Sequence, residues 1–451
     1  MAKLKPDQLL QAYRGRDEYA EIARAAARWV SDHPRANRQE LLSFVAATFG
    51  APPVFKLAPS QAPLTIFGAV GTQIPENARE QMEMVLRLPM ATRGALMPDA
   101  HLGYAMPIGG VAVLADAISP SFVGYDISCM VMLSILDLTP DAFMADRPPL
   151  AAVLQQVTAF GLGADFPVGA REHPVMDDAL WNEIPMLRAL RRKAQIQLGS
   201  SGGGNHFADL VVIDFLQDEE THGFRRGDRV TGLLTHSGSR GTGYQVAKHY
   251  VALAGTLTRS VADGIPRGYE WLDLSSEPGQ EYVAAMELMG RYALANHTLI
   301  HDHFVAETGL GIQARIWNRH NFAWLDQGGV IHRKGATPAE TGQLGLIPGT
   351  SGTASYLVRG LGNAASVHSS AHGAGRTFSR TEAKRRHDAG RVARHMRQED
   401  ILHFGLAPDE SFMAYKDIEM VMEIQEGVLI ESVARMMPKV VIMGGQADDG
   451  D

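Results

Sequence analysis

The sequence predicts an α+β protein: mixed β-sheets with surrounding helices and glycine-rich loops. Short apolar, β-branched runs bounded by glycine, at 108–113, 211–215 and 230–235, read as buried strands. Longer stretches at 75–88, 177–198 and 280–307 read as helices. The two kinds do not alternate with a regular βαβ period, which argues against a doubly wound sheet. Composition agrees, since 45% of the 451 residues are hydrophobic, enough for a large core. The 46 glycines are scattered through loops and follow no collagen-like period.

Along the chain, residues 6–49 carry a helical pattern. Leu9, Leu10 and Tyr13, then Ala20, Ile22, Ala23, Ala26 and Val30, recur near helical spacing. Asp32-His33-Pro34 stops that segment, 38–49 resumes as a second short helix, and Gly50-Ala51-Pro52-Pro53 punctuates it. The expected organisation is therefore a helical N-terminal extension over 1–60, a catalytic domain over 61–447 and a short acidic tail over 448–451. Pro75 suits the first position of its helix, where a missing N–H costs nothing. The stretch 380–397 is strongly basic, and it reads either as a solvated helical face or as a surface for a polyanion. No internal repeat or low-complexity segment interrupts the pattern.

A net charge of −8 gives no global electrostatic footprint for nucleic acid, although a local basic face can coexist with an acidic remainder. A single cysteine, Cys129, excludes an intramolecular disulfide framework. No apolar run approaches the roughly 18 residues that a membrane span needs, and the N-terminus has no secretory pattern. A cytoplasmic protein with no membrane association is the expectation.

The chemistry-bearing residues fall in glycine-flanked loops. Gly124-Tyr125-Asp126-Ile127-Ser128-Cys129 offers a carboxylate and a thiol three residues apart, and a thiolate can bridge two metals. Taken alone, a lone cysteine is more often a small buried hydrophobe. Gly202-Gly203-Gly204-Asn205-His206, Thr235-His236-Ser237-Gly238 and Ile331-His332-Arg333-Lys334-Gly335 each present a histidine beside glycine, where the backbone can approach a ligand closely. Imidazole, thiolate and carboxylate together suit manganese, zinc, iron or cobalt better than magnesium or calcium. Five such ligands suffice for two ions about 3.5–4 Å apart. Ile347-Pro348-Gly349-Thr350-Ser351-Gly352-Thr353 and His368-Ser369-Ser370-Ala371-His372-Gly373-Ala374-Gly375-Arg376 are turns of the kind that bind phosphate through backbone N–H groups. In the second, His372 is a candidate nucleophile at phosphorus with Arg376 four positions beyond.

At this point the motifs resemble a known family, the RtcB RNA ligases. Met97-Pro98-Asp99-Ala100-His101-Leu102-Gly103-Tyr104 and the following Pro107-Ile108-Gly109-Gly110 open the series. The Asp126/Cys129 loop, Gly204-Asn205-His206, His236-Ser237-Gly238-Ser239-Arg240-Gly241, His332-Arg333-Lys334-Gly335-Ala336-Thr337, His372-Gly373-Ala374-Gly375-Arg376 and Ala414-Tyr415-Lys416-Asp417-Ile418 follow in family order. The resemblance implies an RtcB-like fold from about residue 61 to about residue 445, and an enzyme using two Mn²⁺ ions and GTP. It implies Cys129 as the ligand shared by two metals, Asp126 and His206 completing one site, and His236 with His332 the other. His372 would carry GMP, while Asn205, Asp209, Ser355, Arg376, Arg380 and Lys416 stand where the family contacts the nucleotide. The implied substrates are RNAs with a 3′-phosphate or 2′,3′-cyclic phosphate and a 5′-hydroxyl end, with an archease-like activator as a further partner.

The sequence departs from the family pattern in places. Cys129 is followed by Met130-Val131-Met132, where the family often reads Gly-Val-Arg. Asp209 replaces the usual guanine-reading Glu, and Thr350-Ser351-Gly352 stands where Ser-Met-Gly is typical. These changes point to a divergent paralogue serving RNA repair, and they motivate two other readings. One is a dinuclear metal-dependent RNA-end phosphodiesterase or phosphatase without ligation. The other is an RNA-binding regulator with an inactive site, against which the six residues Asp126, Cys129, His206, His236, His332 and His372 argue.

Overall fold

The computed structural model describes residues 6, 10, 13, 18–50, 55–259, 261–262, 264–386 and 388–445. Its architecture is α+β. The larger sheet runs Leu344–Ile347, Ser355–Gly360, Ile430–Met443, Phe207–Phe215, Arg229–Ser237, Met130–Leu136, Ile312–Arg319, with Leu402–Phe404 added alongside Ile430–Met443. All its pairings are antiparallel except that added strand. The sheet curls until its two edge strands meet. Asn318 closes the seam, accepting from the Leu346 N–H at 2.6 Å and donating to the Leu346 carbonyl at 3.3 Å.

Strand alternation then assigns two cores. Val131, Leu133, Val211, Ile213, Leu234, Ile316, Leu346 and Leu357 fill the inside of the curl. Leu136, Leu210, Val212 and Leu233 face outward and pack on Leu154, Ile300 and Phe304 from flanking helices. Ile300 and Phe304 belong to the long helix Glu277–Thr308, started by the Ser276 hydroxyl accepting from Gly279 N–H and ended by Gly309 in the left-handed region.

A second, five-stranded sheet runs Leu64–Ile66, Ala91–His101, Ile108–Leu114, Gly329–Lys334, Asn321–Asp326. The chain passes from the edge of the first sheet into the second through His320, between Ile312–Arg319 and Asn321–Asp326. That crossing brings the ends of the two sheets together.

The helix expected over 177–198 is two helices, Leu180–Glu183 and Pro185–Gln197. Pro185 supplies no N–H and pushes Ile184 to an extended conformation, φ −92° and ψ 116°. Pro75 precedes its helix, Glu76–Val85, as the extended cap residue instead of occupying the first turn. The N-terminal helices Tyr19–Asp32 and Arg38–Phe49 do form, and Asn37 and Glu40 cap the second reciprocally. They are not a free-standing unit, because Ile22, Ala26, Leu41 and Val45 share one core with Met82, Leu96 and Trp271. Each fully buried aliphatic side chain contributes about 1.5–3 kcal/mol, so this docking holds the hairpin in place. The expected acidic tail lies outside the described residues. Among the described residues no helix is long and apolar enough to cross a membrane.

Candidate active site

Four adjacent strands of the curled sheet end at one point. Cys129 immediately precedes Met130–Leu136, His206 precedes Phe207–Phe215, His236 is next to last in Arg229–Ser237, and His320 follows Ile312–Arg319. The antiparallel register sets Val131 and Phe207 on either side of His236, and Met130 opposite Arg319. Side chains far apart in sequence therefore meet at the mouth of the curl. The Cys129 sulfur lies 3.0 Å from His236 Nε2 and 3.4 Å from His206 Nε2. His206 Nε2 is 3.0 Å from Asp126 Oδ2, and His236 Nε2 is 3.3 Å from His320 Nε2. The donors sort into two overlapping sets, Asp126, Cys129 and His206, and Cys129, His236 and His320, with the thiol common to both.

Glycines permit this crowding. A Cβ on Gly202 would stand 1.9 Å from His206 Nδ1, and one on Gly238 would stand 2.3 Å from Asp126 Oδ1. The asymmetry of the His236 ring is fixed from behind: Nδ1–H donates to the Asn205 carbonyl at 3.1 Å, which leaves the Nε2 lone pair facing the sulfur. Burial holds the His236 and His320 imidazoles well below their usual pKa, with neighbouring histidines adding to the effect, so both are neutral. Burial works against the Asp126 carboxylate, yet its hydrogen bond to His206 keeps its carboxyl below the ordinary range. Neutral imidazoles, a carboxylate and a shared thiol fit a pair of borderline divalent cations.

His332, expected as a ligand, is not in this cluster. Both of its ring nitrogens serve the backbone: Nε2 accepts from the Ser119 N–H at 3.0 Å, and Nδ1–H donates to the Val330 carbonyl at 3.2 Å. The ring packs edge-on against Phe122, and burial lowers its pKa to about 4. His320 stands in the place assigned to it. Reasoning from glycine-flanked histidines missed His320, because Asn318-Arg319-His320-Asn321 carries no glycine. The available signal was its position just past an alternating strand, which Cys129 and His206 share in mirror image.

His372 lies beside the cluster, its ring 4.9 Å from that of His320. Asp99, also missed as a functional residue, accepts from His372 twice: from the backbone N–H at 3.1 Å and from Nδ1–H at 2.6 Å. Asp99 is fully buried, and its other oxygen has no hydrogen-bond partner among the described residues. The Nε2 of His372 is thereby left with its lone pair outward, the tautomer a nucleophile requires. Gly375, at φ +74°, brings the two segments together, since a Cβ there would sit 2.1 Å from the Asp99 carbonyl oxygen. Gly335 performs the same service under the ring, where a Cβ would lie 3.0 Å from His372 Cε1.

The residues expected to contact a nucleotide are more dispersed. Lys416 donates to the carbonyls on either side of Asp99, Pro98 at 3.2 Å and Ala100 at 2.7 Å, and burial lowers its ammonium to about 8 against the pull of Asp99. Arg376 and Arg380 are engaged by buried acids: Arg376 meets Glu410, Tyr415 and the Asp409 carbonyl, and Arg380 pairs with Asp409 and Glu410. They brace the His372 segment and are not free cations. Ser355 accepts from the Gly349 N–H at 3.0 Å and so shapes the Gly349–Thr353 turn, whose Thr350 N–H is likewise taken by Thr353. Asn205 is exposed, with its carbonyl committed to His236. Asp209 follows Phe207 by two residues on the inner face of the sheet. Burial raises its carboxyl well above the usual range despite a bond to the Ile442 backbone, and Oδ1 has no partner among the described residues. Met130 and Met132 are core residues of their strand.

Two donor sets sharing a thiol, beside a carboxylate-held histidine, make a site that could hold metal ions next to a candidate histidine nucleophile. The family model described as tRNA-splicing ligase RtcB matches residues 81–180 and 178–444. The tRNA-splicing ligase RtcB of Thermococcus kodakarensis is 32% identical over 445 residues, covering 82% of this chain and 91% of that protein. The RNA-splicing ligase RtcB1 of Escherichia coli is 31% identical over 408 residues, covering 83% and 96%. The RNA-splicing ligase RtcB of Mycobacterium bovis is 29% identical over 433 residues, covering 81% and 100%. The chain belongs to the RtcB family.

Proposed function

We propose that this protein is an RNA ligase that joins RNA ends bearing a 3′-phosphate or 2′,3′-cyclic phosphate to 5′-hydroxyl ends, using GTP and a guanylylated His372. The observation that carries this reading is the Asp99–His372 pair lying against the shared-thiol cluster. A nucleophilic imidazole needs one nitrogen bearing a lone pair and the other held as N–H, and Asp99 provides that arrangement at 2.6 Å.

Nε2 attacks the α-phosphorus of GTP. A P–N bond forms, the bond to the bridging oxygen breaks, and pyrophosphate leaves with the electron pair. As positive charge develops on the ring, the buried Asp99 carboxylate stabilises it. Water first opens a 2′,3′-cyclic end to the 3′-phosphate, and an oxygen of that 3′-phosphate then attacks the GMP phosphorus on His372, forming a P–O bond as the P–N bond breaks. The 5′-hydroxyl of the second strand attacks the activated phosphorus and GMP departs. Asp126, Cys129 and His206 would hold one Mn²⁺, and Cys129, His236 and His320 the other. Such ions supply neutralisation of charge on the phosphoryl oxygens. Lys416 orients Asp99 through its two flanking carbonyls, while the unpartnered Oδ1 of Asp209 is a receptor for a guanine N–H.

The test is incubation with α-³²P-GTP and Mn²⁺ followed by peptide mapping. Label is expected on His372 in an acid-labile, base-stable linkage, and His372→Ala should abolish both the adduct and ligation while leaving the metals bound. Label on His368, whose ring faces Glu340 instead of the cluster, would overturn the assignment. Turnover of RNA ends without any protein–GMP adduct would favour the hydrolytic reading instead.

A further inference from the structure

A cavity of about 440 Å³ opens beside this site, lined by Tyr104, Tyr125, Arg259, Arg267, Glu270 and Lys334 among others. Its chemistry is lopsided. Three cations face one carboxylate, and Glu270 is already held by the Gly268 N–H at 2.6 Å. Lys334 is the informative member. It is only 7% exposed, and its one hydrogen bond among the described residues is a long one, 3.4 Å, to the Ser121 carbonyl. A buried ammonium without a carboxylate partner is costly unless something anionic arrives to meet it. Arg267 is exposed at the rim, and Arg259 reaches in from the end of the helix Arg240–Thr258, its Nε donating to the Gly255 carbonyl.

The aromatic side is equally specific. Tyr104 is 66% exposed, unusual for so large a ring, and it meets Tyr125 edge-on with centroids 6.3 Å apart. Tyr125 is backed by Tyr244 at 5.5 Å. An exposed ring braced by a second ring, beside cations, is the combination that binds single-stranded nucleic acid: bases stack on the ring, and phosphates meet the charges. Connectivity ties the cavity to the site. Tyr125 precedes Asp126 of the metal cluster, and Lys334 precedes Gly335, whose backbone supports the His372 ring. The cavity lining is thus one residue along the chain from the metal cluster at Tyr125 and one residue from the Gly335 support of His372 at Lys334.

We propose that this cavity is an RNA-strand subsite, in which Lys334, Arg259 and Arg267 hold a backbone phosphate and Tyr104 stacks the adjoining base. It rests on the ligase reading above for the identity of the strand. The chemistry is common to the 3′-phosphate strand and the 5′-hydroxyl strand, so the experiment uses both.

The Mn²⁺-loaded full-length protein is titrated with fluorescent single-stranded RNA 12-mers, one ending in a 3′-phosphate and one beginning with a 5′-hydroxyl and blocked at its 3′ end. Wild type is compared with Tyr104→Ala and with the double variant Arg259→Ala/Arg267→Ala. Guanylylation by α-³²P-GTP without RNA runs in parallel and reports an intact site. Expected is a loss of at least tenfold in affinity for the double variant with one of the two RNAs, which identifies the strand. The salt dependence should become shallower by about 0.7 in log–log slope, the contribution of one phosphate contact on a single strand. Tyr104→Ala should weaken the same RNA about fivefold or more, and guanylylation should proceed at the wild-type rate in all three proteins. Unchanged affinity and slope with both RNAs would overturn the proposal, as would a raised GTP requirement with RNA binding intact. Absence of the GMP adduct from the wild type would sink the ligase reading alone, because RNA binding is measured without it.

Discussion

Replacing Asp99 by Asn separates orientation of His372 from its charge stabilisation. The carboxylate oxygen that accepts from Nδ1–H also accepts from the His372 backbone N–H. The Asn carbonyl oxygen must therefore keep that position, and the amide NH₂ falls where Oδ1 now lies buried without a partner. The tautomer survives while the charge is lost. A hydrogen bond to a charged group is worth about 1.5–3 kcal/mol net and a neutral one about 0.5–1.5, so about 1–2 kcal/mol of stabilisation of the developing imidazolium should disappear. At about 1.4 kcal/mol per tenfold, guanylylation should slow about 5- to 30-fold in single-turnover quench-flow with saturating GTP and Mn²⁺. Asp99→Ala, which also frees the ring to rotate, should slow it further. Bound metal should be unaffected in both, because Asp99 is outside the donor sets. A variant Asn enzyme within twofold of wild type would refute the argument that Asp99 activates His372.

Three further outcomes follow from the same geometry. His320→Ala should lose one of two equivalents of Mn²⁺ by mass-spectrometric metal analysis while His332→Ala retains both, and retention of both ions by His320→Ala would restore the assignment made from sequence. Cys129→Ser should empty both sites, since a hydroxyl stays protonated near neutral pH and bridges poorly; a cooperative thermal transition with full metal content would make Cys129 a packing residue. Reversing Arg385 and Arg386 to Glu, both exposed on the helix Arg380–Arg386, should weaken RNA binding and flatten its dependence on salt, and an unchanged slope would return this helix to the status of solvated surface.

Much of the fold was legible because burial writes a period into the sequence. The strands around 108–113, 211–215 and 230–235 are present as Ile108–Leu114, Phe207–Phe215 and Arg229–Ser237. What was not legible is which strand lies beside which. Met130–Leu136 pairs with Ile312–Arg319 across about 180 residues of chain, and only that pairing carries His320 to Cys129, where the His320 N–H donates to the Cys129 carbonyl at 3.0 Å. No local pattern encodes such a contact. The choice of His332 failed for a related reason. In the sequence Gly335 marks a backbone open to a ligand beside His332, and the room it makes is taken by Ile108 and by His372, 37 residues on. The glycines beside His206 and His236 were read on the same logic, and there the space does serve the cluster, because Gly202 faces the His206 ring and Gly238 faces Asp126. A glycine in a loop thus signals that something must come close, without saying what. The approaching group is identified by the topology that brings the second segment in, and for His372 that segment is Asp99 on one side and Gly335 on the other.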